Sequence, residues 1–150
     1  MFYQNYDFGI SLSDIEDAND FSPVPPGEYT VQAHEVVLKN TKSGGGKYLQ
    51  FEFVITDADF LHRKIFQNVI MEHSNEDAKR IGQQFLKSWI MACDGMGDER
   101  LTLSVVSQFL RKSCVAVLVV EEGKAGYRSK NKIQRFKKLA KRYSDEVPYF

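Results

Sequence analysis

Basic and aromatic side chains alternate beside two glycine-containing segments of this 150-residue sequence. Cations hold phosphates and flat aromatic rings stack on unpaired bases, so the combination favours a groove for a single-stranded nucleic acid. The first group brackets the run of three glycines at 44–46 and consists of Lys39, Lys42, Lys47 and Tyr48. The second group follows Gly123 and consists of Lys124, Tyr127, Arg128, Lys130, Lys132, Arg135 and Phe136.

Each of these residues also has an ordinary structural explanation. A single surface lysine is most often simply solvated, and Tyr127 and Phe136 could instead plug the ends of a β-barrel. The number of cations and rings along two short segments favours the groove over these alternatives. Phe66 is left open between groove and core, because its orientation depends on a strand register that the sequence does not fix.

Enzymatic chemistry finds little support in the sequence. The histidines at positions 34, 62 and 73 have no metal-ligand spacing with one another or with the two cysteines. Carboxylates such as Asp57 and Asp77 stand at turn and helix-start positions, where capping explains them. No serine lies in a nucleophile-elbow motif. We therefore predict a protein that is not an enzyme and that has no metal and no cofactor.

The charge of the sequence reverses abruptly at its C-terminal end. Nine Lys or Arg and no Asp or Glu lie from Lys124 to Arg142, and the last seven residues read Ser-Asp-Glu-Val-Pro-Tyr-Phe. This ending resembles the acidic tip of bacterial single-stranded DNA-binding proteins; the alternative is an ordinary frayed terminus. The resemblance implies a tip that recruits replication partners and competes with DNA for the basic groove. Its residues are Asp145, Glu146, Pro148, Tyr149 and Phe150.

The length and composition of the sequence limit the kinds of protein that it can encode. A chain of 150 residues with 43% hydrophobic residues is large enough to bury one core, so a single domain is predicted. The formal net charge of zero hides six acids and no Lys or Arg in the first 30 residues, against the basic C-terminal segment. Two cysteines in apolar contexts, without a signal peptide or a membrane-span pattern, predict a reduced cytosolic protein.

Periodicity predicts three strands, a helix and two further strands. The strands are expected at 28–38, 48–55, 63–71, 113–121 and 127–136, and the core face of the second holds Leu49, Phe51, Phe53 and Ile55. The helix begins near Ser74 and runs to Gly95, with a short helical stretch near 103–110. Its predicted core stripe is Ala78, Ile81, Phe85, Trp89 and Cys93. The order matches a mainly β oligonucleotide/oligosaccharide-binding (OB) fold, a five-stranded Greek-key barrel with its helix between strands 3 and 4; other small β-barrels are the alternative.

Three sequence segments resemble a bacteriophage family first catalogued as a domain of unknown function. They read Pro-Pro-Gly-Glu-Tyr-Thr-Val, Thr-Lys-Ser-Gly-Gly-Gly-Lys-Tyr-Leu-Gln-Phe-Glu-Phe and Asn-Lys-Ile-Gln-Arg-Phe. Members look like phage single-stranded DNA-binding proteins. The resemblance covers approximately Asp7 to Phe136, so the basic extension and the tip lie outside it. We predict an acidic, partly ordered leader at 1–26, an OB-fold domain at 27–138 and a flexible C-terminal tail at 139–150.

The resemblance also implies a function. The protein would coat and protect single-stranded DNA during phage replication or recombination, largely without sequence preference, in the cytoplasm of the infected bacterial host cell. Its partners would be single-stranded DNA and replication or recombination proteins bound through the tip, and a homo-oligomer stays open. The main alternative is a protein-interaction adaptor whose barrel binds no nucleic acid; a third hypothesis is a Mg²⁺-dependent nuclease.

Overall fold

The computed structural model describes residues 3–15, 22–42, 44–124, 126 and 128–140. A short 3₁₀ helix at Leu12–Asp14 comes first in the described chain. The strands are β1 (Gly27–Asn40), β2 (Lys47–Ile55), β3 (Lys64–Glu72), β4 (Ser113–Glu121) and β5 (Lys130–Lys137). The helices are α1 (Glu76–Ala92) and α2 (Leu103–Gln108), both between β3 and β4.

The strands form one antiparallel sheet in the order β3-β2-β1-β4-β5. The central strand β1 pairs twice, with β4 along Gly27–Gln32 and with β2 along Val31–Asn40. A bulge at His34 shifts the register of the second pairing, and bulges bend and twist a strand. In the described residues the sheet is not closed by pairing between its edge strands. The structure therefore confirms a mainly β fold with a helix after the third strand.

One face of β2 supplies the centre of the core. Leu49, Phe51, Phe53 and Ile55 alternate along this strand and are all buried, as the period-two pattern predicts. The ring centroids of Phe51 and Phe53 lie 5.1 and 6.2 Å from that of Trp89 in α1. Trp89 is fully buried, which confirms its predicted core position.

Helix α1 contacts the sheet through a glycine. A Cβ atom on Gly82 would lie 1.9 Å from the carbonyl oxygen of Ile70 in β3, so the helix can approach the strand this closely only with glycine there. The side of α1 that carries Gly82 faces the core, and Leu86 and Ile90 are buried with it. Ile81 is 64% exposed. The prediction that Ile81 packs in the core is therefore wrong.

The cap of α1 is Asn75, one residue after the predicted Ser74. Its side-chain oxygen accepts hydrogen bonds from the amides of Asp77 and Ala78, at 2.8 and 3.3 Å. Such a cap satisfies amides that the first helical turn leaves without partners. Among the described residues, no helix combines the length and the apolar character that crossing a membrane requires.

The chain before β1 joins the sheet through its last few residues. Val24 is buried, and the side chain of Asn131 in β5 hydrogen-bonds with its main chain. Arg63, just before β3, donates a hydrogen bond to the carbonyl oxygen of Ser22. Residues 3–15 instead expose large apolar side chains to solvent, namely Tyr3, Tyr6, Phe8, Ile10, Leu12 and Ile15.

Candidate nucleic-acid interface

The first predicted group lies at the hairpin between β1 and β2. Lys39 faces Tyr48 across the two strands, and Lys47 faces Asn40 with its Nζ 3.0 Å from the Asn40 Oδ1 atom. Lys42 is exposed in the connecting loop. The structure therefore brings three lysines and one tyrosine together at one end of the sheet.

The glycine loop between these strands packs down on β3. Gly44 has a φ of +76°, a conformation that glycine adopts without strain. A Cβ atom on Gly46 would lie 2.4 Å from the carbonyl oxygen of Glu72, the last residue of β3. The loop is thus fitted against the end of the third strand, next to Lys47.

Phe66 lies on the outer face of the sheet. It pairs with Glu52 of β2, while its neighbour Ile65 pairs with the buried Phe53 and is itself buried. Side chains alternate along a strand, so Phe66 points away from the core, and it is 59% exposed. The structure therefore excludes the core position that the sequence left open for Phe66.

The outer face of β2 and β3 continues from Phe66 towards the glycine loop. The next pair of Cα partners is Gln50 and Asn68, and the pair after that is Tyr48 and Ile70. Phe66 and Tyr48 therefore lie on one face with two amide side chains between them. Amides both donate and accept hydrogen bonds, so this row offers two rings and a polar strip to a ligand.

Two glutamates, which the sequence analysis missed, lie at the Phe66 end of this face. Glu35 of β1 and Glu52 of β2 are Cα partners across the strands, and the Nζ atom of Lys64 lies 3.2 Å from Glu52. Their pairing follows from the bulge at His34, which shifts the register by one residue. Like charges opposite one another repel, and they also disfavour a phosphate at this end of the face.

The second predicted group lies along the hairpin between β4 and β5. Lys130 pairs with Glu121 and Arg135 pairs with Val117, and both cations are exposed. The Nζ atom of Lys132 lies 3.8 Å from the Glu121 carboxylate in an exposed ion pair. Lys124 and Arg128 are exposed in the loop that joins the strands.

Phe136 differs from the cations that surround it. Its ring centroid lies 5.6 Å from that of Phe53 and 5.1 Å from that of Phe85. The side chain is partly buried and packs against the core. The predicted role of Phe136 in the groove wall does not fit this position, because the ring packs against the hydrophobic core.

The two basic groups lie at opposite ends of β1. Gly27 pairs with Leu118, so the β4–β5 loop lies beyond the N-terminal end of β1, whereas the glycine loop follows its C-terminal end. A straight strand of 14 residues spans about 45 Å at 3.3 Å per residue. The bulge bends β1 and shortens this distance. Any one ligand that contacts both groups must therefore follow the sheet for much of its length.

Several predicted residues fall outside the described part of the chain. They are Tyr127 and all five residues of the predicted tip, namely Asp145, Glu146, Pro148, Tyr149 and Phe150. The described chain ends at Ala140, three residues after β5.

The sequence profile of DUF669, a family of proteins of unknown function, matches residues 10–147. The chain belongs to this family. No curated protein matches it. The DUF669 match extends from the apolar N-terminal segment through the whole sheet to residue 147. The family description names no activity.

The bulge in β1 of this DUF669 protein carries His34, whose pKa is shifted by its surroundings. Burial lowers the pKa of His34, and the positive charge of Arg111 lowers it further, while Glu52 opposes both. The His34 Nε2 atom lies 3.2 Å from the Gln32 side-chain oxygen. A neutral imidazole is therefore favoured beside the glutamate pair.

The two cysteines of the DUF669 chain are free and buried. A hydrogen bond with Cys93, together with burial, raises the pKa of the Cys114 thiol far above its usual range. A thiol held in its protonated form is a poor nucleophile. Within the described residues, no cluster of three or more His, Cys, Asp or Glu is arranged to hold a metal ion.

Proposed function

We propose that this protein binds single-stranded DNA without sequence preference on the outer face of β2 and β3. The observation that carries the proposal is Phe66, an aromatic ring that is 59% exposed in the middle of a strand. Tyr48 lies on the same face, beside Lys39 and Lys47. Exposed rings next to cations are the two ingredients that non-specific binding of single strands needs.

We further propose that the sheet is a partly open OB-type Greek-key barrel. The edge strands β3 and β5 have Cα atoms within 8 Å of one another, and the rings of Phe53 and Phe136 bridge β2 and β5 inside. In OB folds, the face of strands 2 and 3 and the loops between strands 1 and 2 and between strands 4 and 5 bind oligonucleotides. Those three places carry the exposed ring of Phe66, the half-buried ring of Tyr48 and both basic groups.

The chemistry of the face suggests how a strand would lie. Bases would stack on Phe66 and Tyr48 and hydrogen-bond with Gln50 and Asn68 between them. The carboxylates at the Phe66 end repel phosphates, so the sugar-phosphate backbone would run outside the ring row, towards the lysines of the loops. Hydrogen bonds from adaptable amides and stacking on rings accept every base, which accounts for binding without sequence preference.

In this proposal the chain has three parts with separate roles. The domain at 27–138 coats and protects single-stranded DNA in phage replication or recombination, in the cytoplasm of the infected bacterial cell. The acidic leader at 1–26 precedes it, and the tail at 139–150 recruits partner proteins through its acidic and aromatic tip. The protein carries out no catalysis and needs no cofactor.

A protein-interaction adaptor is the second candidate, and two observations favour it. Glu35 and Glu52 place two negative charges on the face that a polyanion would have to cross. The exposed apolar side chains of residues 3–15 also suit a protein partner better than DNA. An adaptor of this kind would bind no oligonucleotide at any salt concentration.

A fluorescence anisotropy titration separates the two candidates. Labelled dT and dA oligomers, an RNA of the same length and a duplex are titrated with the full chain at about 50 and 200 mM salt, a range over which phosphate contacts weaken strongly. We expect tighter binding of single strands than of duplex, similar affinity for dT and dA, and loss of affinity at the higher salt concentration. Binding that ignores salt, or equal affinity for duplex, contradicts the proposal.

A further inference from the structure

A small apolar cleft lies on the helical side of the domain, between α1 and the segment that leads to α2. Its volume is about 150 Å³. The apolar part of its lining consists of Ile90 from α1, Val105 from α2, and Gly97 and Leu101 between them. A cavity of about 150 Å³ lined by aliphatic side chains holds a benzene ring. The cleft therefore has the size and the lining that one aromatic side chain needs.

The polar part of the cleft's lining consists of Gln83, Lys87 and Glu99, and two methionines are neighbours of Gly97, Met91 in space and Met96 in sequence. The sulfur of Met91 lies 3.2 Å from the position that a Cβ atom on residue 97 would occupy. Met96, the residue before Gly97, is 76% exposed. Methionine side chains adapt their shape to aromatic rings and contact them favourably. Lys87 also lines the cleft and forms no ion pair with a described residue. Glu99 also lines the cleft, so the lining carries one cation and one anion.

The chain leaves β5 close to this cleft. The Nζ atom of Lys138 lies 3.9 Å from the carboxylate of Asp94, and Asp94 follows the last turn of α1, four residues after Ile90. From Lys138 the chain runs on for twelve residues to Phe150. Twelve extended residues reach about 40 Å at 3.3 Å each, far more than the distance spanned by one helical turn.

We propose that the cleft binds the aromatic segment at 148–150 of the same chain, with one ring of Tyr149 or Phe150 inside it and the acidic pair at 145–146 beside Lys87. These residues lie outside the described part of the chain, and three observations select them: the size of the cleft, the position of Lys138 and the charge of Lys87. A tip held there is withheld from partner proteins until something displaces it. The docking does not depend on DNA binding, because the cleft lies on the helices and not on the β2–β3 face.

Methyl NMR of the full chain tests this docking. An aromatic ring in the cleft shifts the methyl resonances of Ile90, Leu101 and Val105, so the double substitution Tyr149→Ala/Phe150→Ala should move all three. The matched control Tyr6→Ala/Phe8→Ala removes two rings from the other end of the chain and should move none of them. Unchanged methyl resonances in the tip variant, or equal changes in the control, overturn the proposal.

A charge exchange and a dilution series complete the test. Lys87→Glu should move the same methyl resonances towards those of the tip variant, and adding Asp145→Lys/Glu146→Lys should restore the original spectrum. Docking within one chain is independent of protein concentration, so the spectrum of the natural chain should not change on dilution. A spectrum that does change on dilution assigns the cleft to the tip of a second copy and refutes docking in the same chain.

Discussion

Asn131 of β5 forms two hydrogen bonds with the main chain of Val24. Its side-chain oxygen accepts from the Val24 amide at 2.9 Å, and its side-chain nitrogen donates to the Val24 carbonyl at 3.0 Å. The asparagine side chain thus supplies the two hydrogen bonds that a neighbouring strand would otherwise supply to Val24. Val24 lies 107 residues before Asn131 in the sequence. Because Val24 is buried, this contact fixes the chain that enters β1 against the last strand.

Asn131→Ala should lower the free energy of unfolding by about 1 to 3 kcal/mol, because it leaves both polar main-chain groups of the buried Val24 without partners. The measurement is urea unfolding. The control is Lys132→Ala, which removes an exposed side chain from the next residue. It should change the free energy of unfolding by less than about 0.5 kcal/mol. Equal stability of the two variants would show that water replaces the asparagine.

Phe66→Ala should weaken binding of labelled oligo-dT by about 1 to 3 kcal/mol, a roughly 5- to 150-fold higher Kd, if one base stacks on the ring. Tyr48→Ala should act in the same direction. Because Phe66 is exposed, its loss should leave the melting temperature nearly unchanged. Ile81→Ala removes a similarly exposed apolar side chain from α1 and should not affect binding. A large drop in melting temperature together with unchanged affinity contradicts the stacking role of either ring.

Removing lysines from either end of β1 should flatten the salt dependence of binding. Lys39→Ala/Lys42→Ala and Lys130→Ala/Lys132→Ala should each reduce the slope of log K against log salt by about 0.7 for every lysine that contacts a phosphate. Lys79→Ala/Arg80→Ala removes the same charge from α1 and serves as the control. If only one of the two end variants changes the slope, the DNA does not extend along the whole sheet.

Stability should fall in mild acid because of His34. Its pKa in the folded protein is lowered by burial and by Arg111, so the unfolded chain takes up a proton first, near its ordinary value of 6.5. The unfolded state then binds more protons, and the free energy of unfolding decreases as the pH falls from about 7 through that value. Urea unfolding at several pH values should show a smaller decrease for His34→Gln. An identical pH dependence of both proteins contradicts this assignment.

Gly82→Ala should destabilise the fold, although alanine is the better helix former by about 1 kcal/mol. The added methyl group would meet the Ile70 carbonyl oxygen at 1.9 Å, and forcing α1 off the sheet costs about 1 to 3 kcal/mol in comparable overpacked sites. Gln84→Ala, on the exposed side of the same helix, reports the helix propensity alone. A Gly82→Ala protein as stable as this control would mean that α1 shifts freely on β3.

The elements that the sequence predicted well are those with a strong local pattern. The alternation in β2 placed Leu49, Phe51, Phe53 and Ile55 on the core side without knowledge of any partner strand. The capping residue of α1 was missed by one position, because Ser74 and Asn75 are both good caps and only the geometry of the turn selects between them.

The features that the sequence could not provide depend on distant partners. Phe66 faces outwards because of its pairing with Glu52, and the Glu35–Glu52 pair exists because of a bulge that no local pattern announces. Ile81 is exposed because the helix approaches the sheet at Gly82, and a hydrophobicity pattern gives glycine no weight. In the sequence, Asn131 is a polar residue within a basic run, and nothing there indicates its hydrogen bonds with Val24.

Trp89, the single tryptophan of the chain, has an experimental consequence. It is fully buried among Phe51, Phe53 and Phe109, and its indole nitrogen has no hydrogen-bond partner within the described parts of the chain. Its emission therefore reports on the interior and is insulated from the face that carries Phe66. A dye on the oligonucleotide and the intrinsic fluorescence of Trp89 can be read from the same cuvette, so each surface variant shows separately whether it has lost its ligand or its fold.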